Sequence, residues 1–272
     1  MDRKPRSLSR VSLLLGGCAW ILTLLYFVGQ IIAQAAWRTP YSMIDSRVSD
    51  LGSTACGTTV ANTYVCSPLH VVMNATFVLT GVLILVGLAL TRSVWPRRRL
   101  TTAGLIMLVV AGAGTILVGL SPENVNVFIH IVGALNIPAG NVAMILLGLA
   151  IWRDRRGPRD PREASAASGA IELAWLSILA GIVGLLGMLA GPFLVILTGH
   201  GGGLAERIAL YPLIIWLVAV GVSFVGHVVR RKPAERGAWR CTPKLLARCT
   251  SELHLDQKVH SQHVSRETRR AR

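Results

Sequence analysis

Residues 71–91 read VVMNATFVLTGVLILVGLALT and contain no charged side chain. A helix needs about 20 mostly apolar residues to cross the hydrocarbon core of a bilayer. The backbone N–H and C=O groups of a segment inside lipid must be satisfied internally, as they are in a helix. This stretch therefore predicts a membrane-spanning helix.

Five further stretches are equally poor in charge. They lie between Arg10 and Arg38 and at residues 100–122, 124–152, 173–205 and 208–229. Only 15% of all residues are charged, where a soluble domain carries about 25%. The chain is therefore predicted to be an all-α integral membrane protein, a bundle of six transmembrane helices at about 12–35, 68–91, 101–120, 125–151, 171–197 and 207–229.

The basic residues predict the orientation of these helices. Segments 1–10, 92–99, 153–162 and 230–272 hold 25 of the 28 Lys and Arg residues, and six crossings place all four segments on one side. The positive-inside rule puts that side, with both termini, in the cytoplasm. The predicted domains are a cytoplasmic N-terminus at 1–11, a membrane domain at 12–229 with an external loop at 36–67, and a disordered basic tail at 230–272.

Composition also indicates the membrane and the partners. The chain has 24 Arg against four Lys, with abundant Ala, Gly, Leu and Val, which is typical of a GC-rich bacterial genome and hence of a plasma membrane. Besides the lipid bilayer itself, anionic lipid headgroups are the expected partner of the basic tail. Nucleic acid is not expected, because the sequence contains no folded basic domain to bind it.

The candidate site consists of polar side chains in the outer half of the apolar segments, together with charged residues of the external loop. Polar groups in lipid are costly and are often functional. Their predicted arrangement is one outward-facing polar pocket. Its candidate residues are Asp45, Arg47, Ser49, Asp50, His70, Asn74, Glu123, Asn126, His130, Glu206, Arg207 and Tyr211. At 100° per residue, Asn126, His130 and Asn141 share one stripe of the fourth helix.

A structural role is the alternative interpretation of the same residues. In it, Asp50 pairs with Arg207 to hold the external loop on the bundle, and the two histidines satisfy backbone carbonyl groups. Cys56 and Cys66 share the external loop, where an oxidising environment favours a disulfide between them.

Motifs of catalysis and metal binding are missing from the sequence. It contains no HxxxH or HExxH spacing, so neither a metal site nor a cofactor is predicted. It also contains no GxSxG elbow, P-loop or dinucleotide fingerprint. These observations favour a protein that is not an enzyme.

Four segments carry a resemblance to a known family: SMIDSRVSDLG (42–52), SPLHVVMNATFVLTG (67–81), VGLSPENVNVFIHIVGA (118–134) and AERIALYPLIIW (205–216). In this order they resemble the prokaryotic multi-pass membrane proteins catalogued as domain of unknown function 998, over about 12–229. Ser49, Asp50, Leu51 and Gly52 match the loop motif of that family, His130 matches its fourth-helix histidine, and Glu206, Arg207, Tyr211 and Trp216 match its last-helix signature. The resemblance implies a six-helix membrane fold and no agreed activity. Ser121-Pro122 stands where other members often have Phe-Pro.

Binding of a lipid headgroup or small polar ligand in the outward pocket, in envelope or lipid homeostasis, is the leading functional hypothesis. A transporter is the first alternative, because segments 67–92 and 121–153 look like parallel repeats that begin Ser-Pro and carry a histidine; it would depend on Asn141 near the midplane. A membrane-embedded hydrolase using His70, His130 and Asp50 and a structural partner in a membrane complex are further alternatives.

Overall fold

The computed structural model describes residues 10–58, 64–92, 94–95, 97–153 and 161–230, and of 161–171 and 230 only the backbone. Six helices in it are long and apolar enough to cross a membrane: Arg10–Ala35, His70–Thr91, Arg99–Leu120, Val127–Arg153, Glu172–Thr198 and Gly202–Val229. The predicted all-α architecture with six membrane-spanning segments is confirmed. The predictions for the first nine residues and for the tail after 230 lie outside the described residues.

Eight α-helices build these six spans. They are α1 (Arg10–Ile21), α2 (Leu25–Ala35), α3 (His70–Thr91), α4 (Arg99–Leu120), α5 (Val127–Ala134), α6 (Asn136–Arg153), α7 (Pro161–Thr198) and α8 (Gly202–Arg230). The helix α7 begins ten residues before the predicted start at 171, with a proline at its first position, where the missing N–H costs nothing. The helix α8 begins five residues before the predicted 207, directly after Gly201, whose φ of 90° ends the preceding turn.

Two spans are interrupted. A 3-10 turn at Leu22–Leu24 separates α1 from α2, and the Thr23 hydroxyl donates to the Trp20 carbonyl there. Leu135 separates α5 from α6, three residues before Pro138. The first N–H groups of a helix have no partner within that helix, so a proline in the first turn removes no hydrogen bond. The start of α6 at Asn136 places Pro138 in that first turn. The fourth span therefore consists of two consecutive helices.

The loop between α2 and α3 has its own structure. It contains a 3-10 turn at Ser49–Gly52 and two short antiparallel strands, β1 (Gly57–Thr58) and β2 (Tyr64–Val65). A disulfide joins Cys56 to Cys66, with their Cα atoms 4.2 Å apart. The disulfide closes the hairpin beside the start of α3.

Two apolar clusters form the core of the bundle. At the end opposite the long loop, Trp20, Trp95 and Trp216 pack together with ring centroids 6.2–6.4 Å apart. At the loop end, the second cluster contains Tyr26, Ala33, Val48, Leu51, Met73, Phe77, Val118 and Ile214. Val48 and Leu51 come from the loop itself, so the loop is part of the core at that end.

Candidate functional site

Residues 41–54, which we call the lid, insert two apolar side chains into the bundle. A 3-10 helix repeats every three residues, so Val48 and Leu51 point the same way. Both are fully buried and pack in the cluster that contains Tyr26 and Phe77. The lid therefore plugs the loop end of the bundle with side chains rather than lying across it.

Glu206, near the start of α8, binds the backbone at the beginning of the lid's 3-10 turn. Its Oε2 atom accepts from the Val48 N–H at 2.6 Å, and its Oε1 atom accepts from the Ser49 N–H at 3.3 Å. The first N–H groups of a helical turn have no partner inside the turn, and their positive end attracts a carboxylate. Glu206 thus holds the turn that carries the plug.

Arg207 binds carbonyl oxygens of the lid. Its Nη1 atom donates to the carbonyls of Met43 at 2.9 Å and Ser46 at 2.8 Å, and its Nη2 atom donates to the Tyr41 hydroxyl at 2.6 Å. The guanidinium is almost fully buried and lies over the Tyr41 ring. The predicted pairing of Arg207 with Asp50 is wrong, because the lid folds so that its carbonyl groups surround the guanidinium.

Asp50 pairs with Arg47 instead. The Arg47 Nη2 atom lies 3.6 Å from Asp50 Oδ1 and 3.2 Å from Glu123 Oε1, and the Arg47 N–H donates to Asp50 Oδ2 at 2.8 Å. Burial raises the pKa of Asp50, and the Arg47 charge opposes that rise. Burial alone would lower the pKa of Arg47, but Asp50 and Glu123 outweigh it and raise that pKa. Arg47 thus links the two carboxylates, Asp50 of the lid and Glu123 in the turn after α4.

Asp45 fastens the edge of the lid to the turn before α8. Its Oδ1 atom accepts from the Gly201 N–H at 2.9 Å and lies 3.2 Å from His200 Nδ1, while its Oδ2 atom accepts from the Ser42 hydroxyl. The hydrogen bonds from Gly201 and then Ser42 lower the pKa of Asp45.

Gly203 follows on α8, where a Cβ atom would collide with the Ser46 carbonyl oxygen. The backbones of lid and helix approach too closely there for any side chain.

The remaining predicted site residues each have a hydrogen-bond partner. His70 Nδ1 lies 3.0 Å from the Ser67 carbonyl oxygen and His130 Nδ1 lies 2.9 Å from the Ser121 carbonyl oxygen, so each histidine faces the serine of a Ser-Pro pair. The others bond as follows: Asn74 donates to the Gly52 carbonyl, the Asn126 side chain accepts from the Ile129 N–H at the start of α5, and the Tyr211 hydroxyl bonds to Gln30. Eight of the twelve candidates therefore lie in the lid or contact it: Asp45, Arg47, Ser49, Asp50, Asn74, Glu123, Glu206 and Arg207. His70, Asn126, His130 and Tyr211 have other partners.

A cavity lies directly beneath the plug, between α2, α3, α4, α6 and α8. Tyr26, Phe77 and Ile214 belong both to the cluster around Leu51 and to the cavity wall. The polar lining residues are Tyr26, Thr80, Thr115 and Asn136, and the other lining residues are apolar. The cavity volume is about 20 Å³, on the scale where one water molecule needs roughly 10–15 Å³.

Two oxygen atoms on this cavity wall lack a partner. The Tyr26 hydroxyl and Asn136 Oδ1 are buried and form no hydrogen bond with any described residue. Asn136 Nδ2 donates to the Thr115 hydroxyl at 2.9 Å. Sequence reasoning missed Asn136, Thr80 and Thr115; the available signal was a polar side chain inside an apolar span, which is strongest for the Asn136 amide.

Asn141 has a packing role. It is fully buried, and its Nδ2 atom donates to the carbonyls of Ile137 and, across to α8, of Ala209 at 2.8 Å. Gly184 of α7 lies so close that a Cβ atom there would collide with Asn141 Oδ1. Asn141 therefore joins three helices at the depth of the cavity.

Metal ligands do not cluster in the part of the chain that the structure describes: no group of three or more His, Cys, Asp or Glu side chains could hold an ion.

The fold and the site define a multi-pass membrane protein whose long loop is locked into one end of a six-span bundle, above a small cavity lined by four polar and seven apolar residues. The model of a family described as "Protein of unknown function (DUF998)" matches residues 20–223, well over half of the chain. The protein belongs to this family, and the resemblance inferred from its motifs is confirmed. No curated protein and no solved structure matches the chain.

Proposed function

We propose that the protein is a membrane-embedded binding protein that holds a small polar group, from a lipid or a small molecule, in the cavity beneath the lid. The observation that carries the proposal is that two residues lining the cavity, Tyr26 and Asn136, each have a buried oxygen without a hydrogen-bond partner. Leaving a buried polar atom without a hydrogen bond costs about 1–3 kcal/mol. A bound polar group would recover that cost at both atoms.

The lid residues support binding in the cavity rather than at the rim. Glu206, Arg207 and Asp50 all bond to the lid or to a charge at its edge. The apolar plug at Leu51 separates them from the cavity. In this proposal the charged network keeps the lid in position, and the cavity below it does the binding.

The proposal also includes an orientation and a membrane. In the proposal the lid faces outward, both termini are cytoplasmic, and the membrane is the bacterial plasma membrane. Its support is that 25 of the 28 basic residues fall in four segments that six crossings would place on the side opposite the external loop. The apolar side chains that α7 exposes, such as Leu186, Phe193 and Ile196, would contact lipid. The basic tail would contact anionic headgroups.

Identification of co-purifying molecules tests the proposal. The wild-type protein is purified in mild detergent, and its bound small molecules and lipids are extracted and identified by mass spectrometry. The double variant Tyr26→Phe/Asn136→Leu loses both oxygens with little change in volume, and Tyr64→Phe, on the exposed strand β2, is the matched control.

We expect one species to be enriched in the wild type and in Tyr64→Phe. In the double variant it should fall roughly 10–100-fold, since two hydrogen bonds of about 1 kcal/mol or more are lost. Equal amounts in all three folded proteins, or no enriched species in the wild type, would contradict cavity binding.

A further inference from the structure

We infer that the cavity is selective for an uncharged O–H group, one that both donates and accepts a hydrogen bond, and that it rejects carboxylates, phosphodiesters and ammonium groups. This inference rests on the proposed binding function and specifies its chemistry. Two sources carry such a group, the hydroxyl end of an alcohol and water.

The side chain of Asn136 has a fixed orientation. The Thr115 hydroxyl donates its proton to the Ala111 carbonyl at 2.7 Å, so the atom 2.9 Å away on Asn136 must be the donor, Nδ2. Amide orientations are assigned from networks of this kind. The oxygen of Asn136 is therefore the atom without a partner, and it requires a hydrogen-bond donor.

The second oxygen, that of Tyr26, can donate or accept. A group bound between it and Asn136 must donate to Asn136 and can accept from Tyr26. An ionised carboxylate or a phosphodiester only accepts, so it would meet Asn136 Oδ1 with no proton between them. An ammonium can donate to both oxygens, but it leaves the Tyr26 O–H proton without an acceptor and brings a charge into the cavity. A hydroxyl group or a water molecule both donates and accepts.

Charge is also disfavoured by the surroundings. None of the described residues that line the cavity is charged. The nearest charges along α8, Glu206 and Arg207, are already bonded to the lid. Because an isolated charge in an apolar environment is very costly, a bound ion would find nothing to offset its desolvation. The cavity volume of about 20 Å³ suits one hydroxyl or one to two waters.

Thermal unfolding with a matched set of six-carbon probes tests this inference. The protein is placed in nanodiscs of phosphatidylcholine, whose headgroup has no hydroxyl, and is titrated with 1-hexanol, 2-hexanone, hexanoate, hexylamine or hexane. For each probe, the change in unfolding temperature of the variant Tyr26→Phe/Asn136→Leu is subtracted from that of the wild type. If the double variant does not fold, the nearly isosteric single variant Tyr26→Phe replaces it.

We expect 1-hexanol alone to raise the unfolding temperature, by about 2–4 °C for each kcal/mol of binding. Thr115→Val gives a second, independent result. Without the Thr115 acceptor the Asn136 amide can turn its NH₂ group toward the cavity, so 2-hexanone, which only accepts, should now stabilise the protein.

The outcomes separate the inference from the proposed function. If hexanoate or hexylamine gives the Tyr26-dependent shift, the selectivity is wrong and cavity binding stands. A second outcome is that no probe raises the unfolding temperature of the wild type, while a structure with ordered solvent places a water against both oxygens. The O–H chemistry is then right and the proposed function fails. If neither a probe nor a water binds there, both are overturned.

Discussion

Glu206 and Arg207 are neighbours on α8, yet they bind opposite kinds of backbone group in the lid. Glu206 accepts from two N–H groups, and Arg207 donates to two carbonyl oxygens of the lid and to the Tyr41 hydroxyl. Non-helical backbone near lipid is stable only where its polar groups are satisfied. These two side chains form hydrogen bonds with the polar backbone groups of the lid, which explains why two costly charges lie at the end of a membrane span.

Arg207→Lys should loosen the lid although it keeps the charge. The guanidinium places several donors in a fixed plane and stacks over the Tyr41 ring, and one ammonium cannot reach the same partners. Hydrogen bonds to charged groups contribute about 1.5–3 kcal/mol each, so we expect the free energy of unfolding to fall by about 2–3 kcal/mol. Urea unfolding in detergent micelles measures it.

Arg38→Lys is the matched control, because Arg38 lies in the same loop and is exposed. It should change the free energy of unfolding by less than about 0.5 kcal/mol. Equal effects of the two substitutions would show that the bonds of Arg207 add nothing to lid stability.

The pH dependence of the lid should change when Asp45 becomes Asn. The pKa of Asp45 is lowered in the folded protein by the Gly201 N–H and Ser42, so its contribution to stability is present above its unfolded pKa and is lost as pH falls through the folded pKa. Asp45→Asn should therefore unfold at a lower temperature than wild type at pH 7. The difference should disappear at a pH below the lowered pKa of Asp45.

Asp50→Asn provides a comparison of opposite sign. Because burial raises the pKa of Asp50, the charged form is disfavoured by folding, and its cost appears as pH rises through the range just above the ordinary carboxyl pKa. This substitution should reduce the loss of stability over that range. If both variants followed the same pH curve, the two carboxylates would not have the opposite environments found in the lid.

At the scale of elements, the 3-10 turn is the part of the lid that seals the cavity. Leu51→Ala should remove the plug. Truncating a buried leucine lowers the free energy of unfolding by about 2–5 kcal/mol, and we expect this loss to appear mainly as local opening of the lid. Cys18, Cys241 and Cys249 are replaced by Ser, and Thr80→Cys is introduced on the cavity wall. A charged thiol reagent added outside should modify this cysteine at least about ten times faster when Leu51 is Ala than when it is Leu.

Leu69→Ala is the control for that labelling experiment, since Leu69 is partly exposed and outside the plug. It should leave the labelling rate of the introduced cysteine unchanged. Rapid labelling with Leu51 intact would mean that the turn does not seal the cavity.

The disulfide limits the freedom of the other half of the loop. Cys56 and Cys66 are separated by ten residues, and closing a loop of that size stabilises the folded state by about 2–3 kcal/mol in the chain-entropy description. Reduction should therefore lower the unfolding temperature of the wild type in a thermal scan. The variant Cys56→Ser/Cys66→Ser should start at the lower temperature and show no response to reductant; a reductant response in that variant would assign the effect to another group.

The sequence predicted helices better than it predicted breaks within them. A charge-free run of about 20 residues in lipid satisfies its backbone groups as a helix, so the sequence alone predicted all six spans. The stripe of Asn126, His130 and Asn141 assumed one straight helix at 100° per residue, and the break at Leu135 removes that assumption. His130 consequently faces the Ser121 carbonyl, while Asn141 bonds across to α8.

For the molecule as a whole, the sequence predicted which polar residues meet at the loop end but not what they bind. Eight of the twelve candidates lie in the lid or contact it, yet the main partners of Glu206 and Arg207 are backbone groups, whose positions depend on how residues 41–54 fold. Asn136 escaped notice because it bears no charge and lies off the assumed stripe. Periodicity identifies the faces of helices, whereas a cavity depends on how five helices pack together.

The distribution of basic residues makes a final prediction about the whole chain. With six spans and 25 of 28 basic residues on alternate connections, both termini should lie in the cytoplasm. A fluorescent protein that matures only in the cytoplasm should fluoresce when fused to either end, and alkaline phosphatase should be active only when inserted in the hairpin between β1 and β2. As a control on the cause, replacing Arg97, Arg98 and Arg99 with Gln should weaken this orientation, while replacing Arg38 and Arg47 should not. Active phosphatase at either terminus would mean an inverted bundle, with the lid in the cytoplasm and the cavity opening toward it.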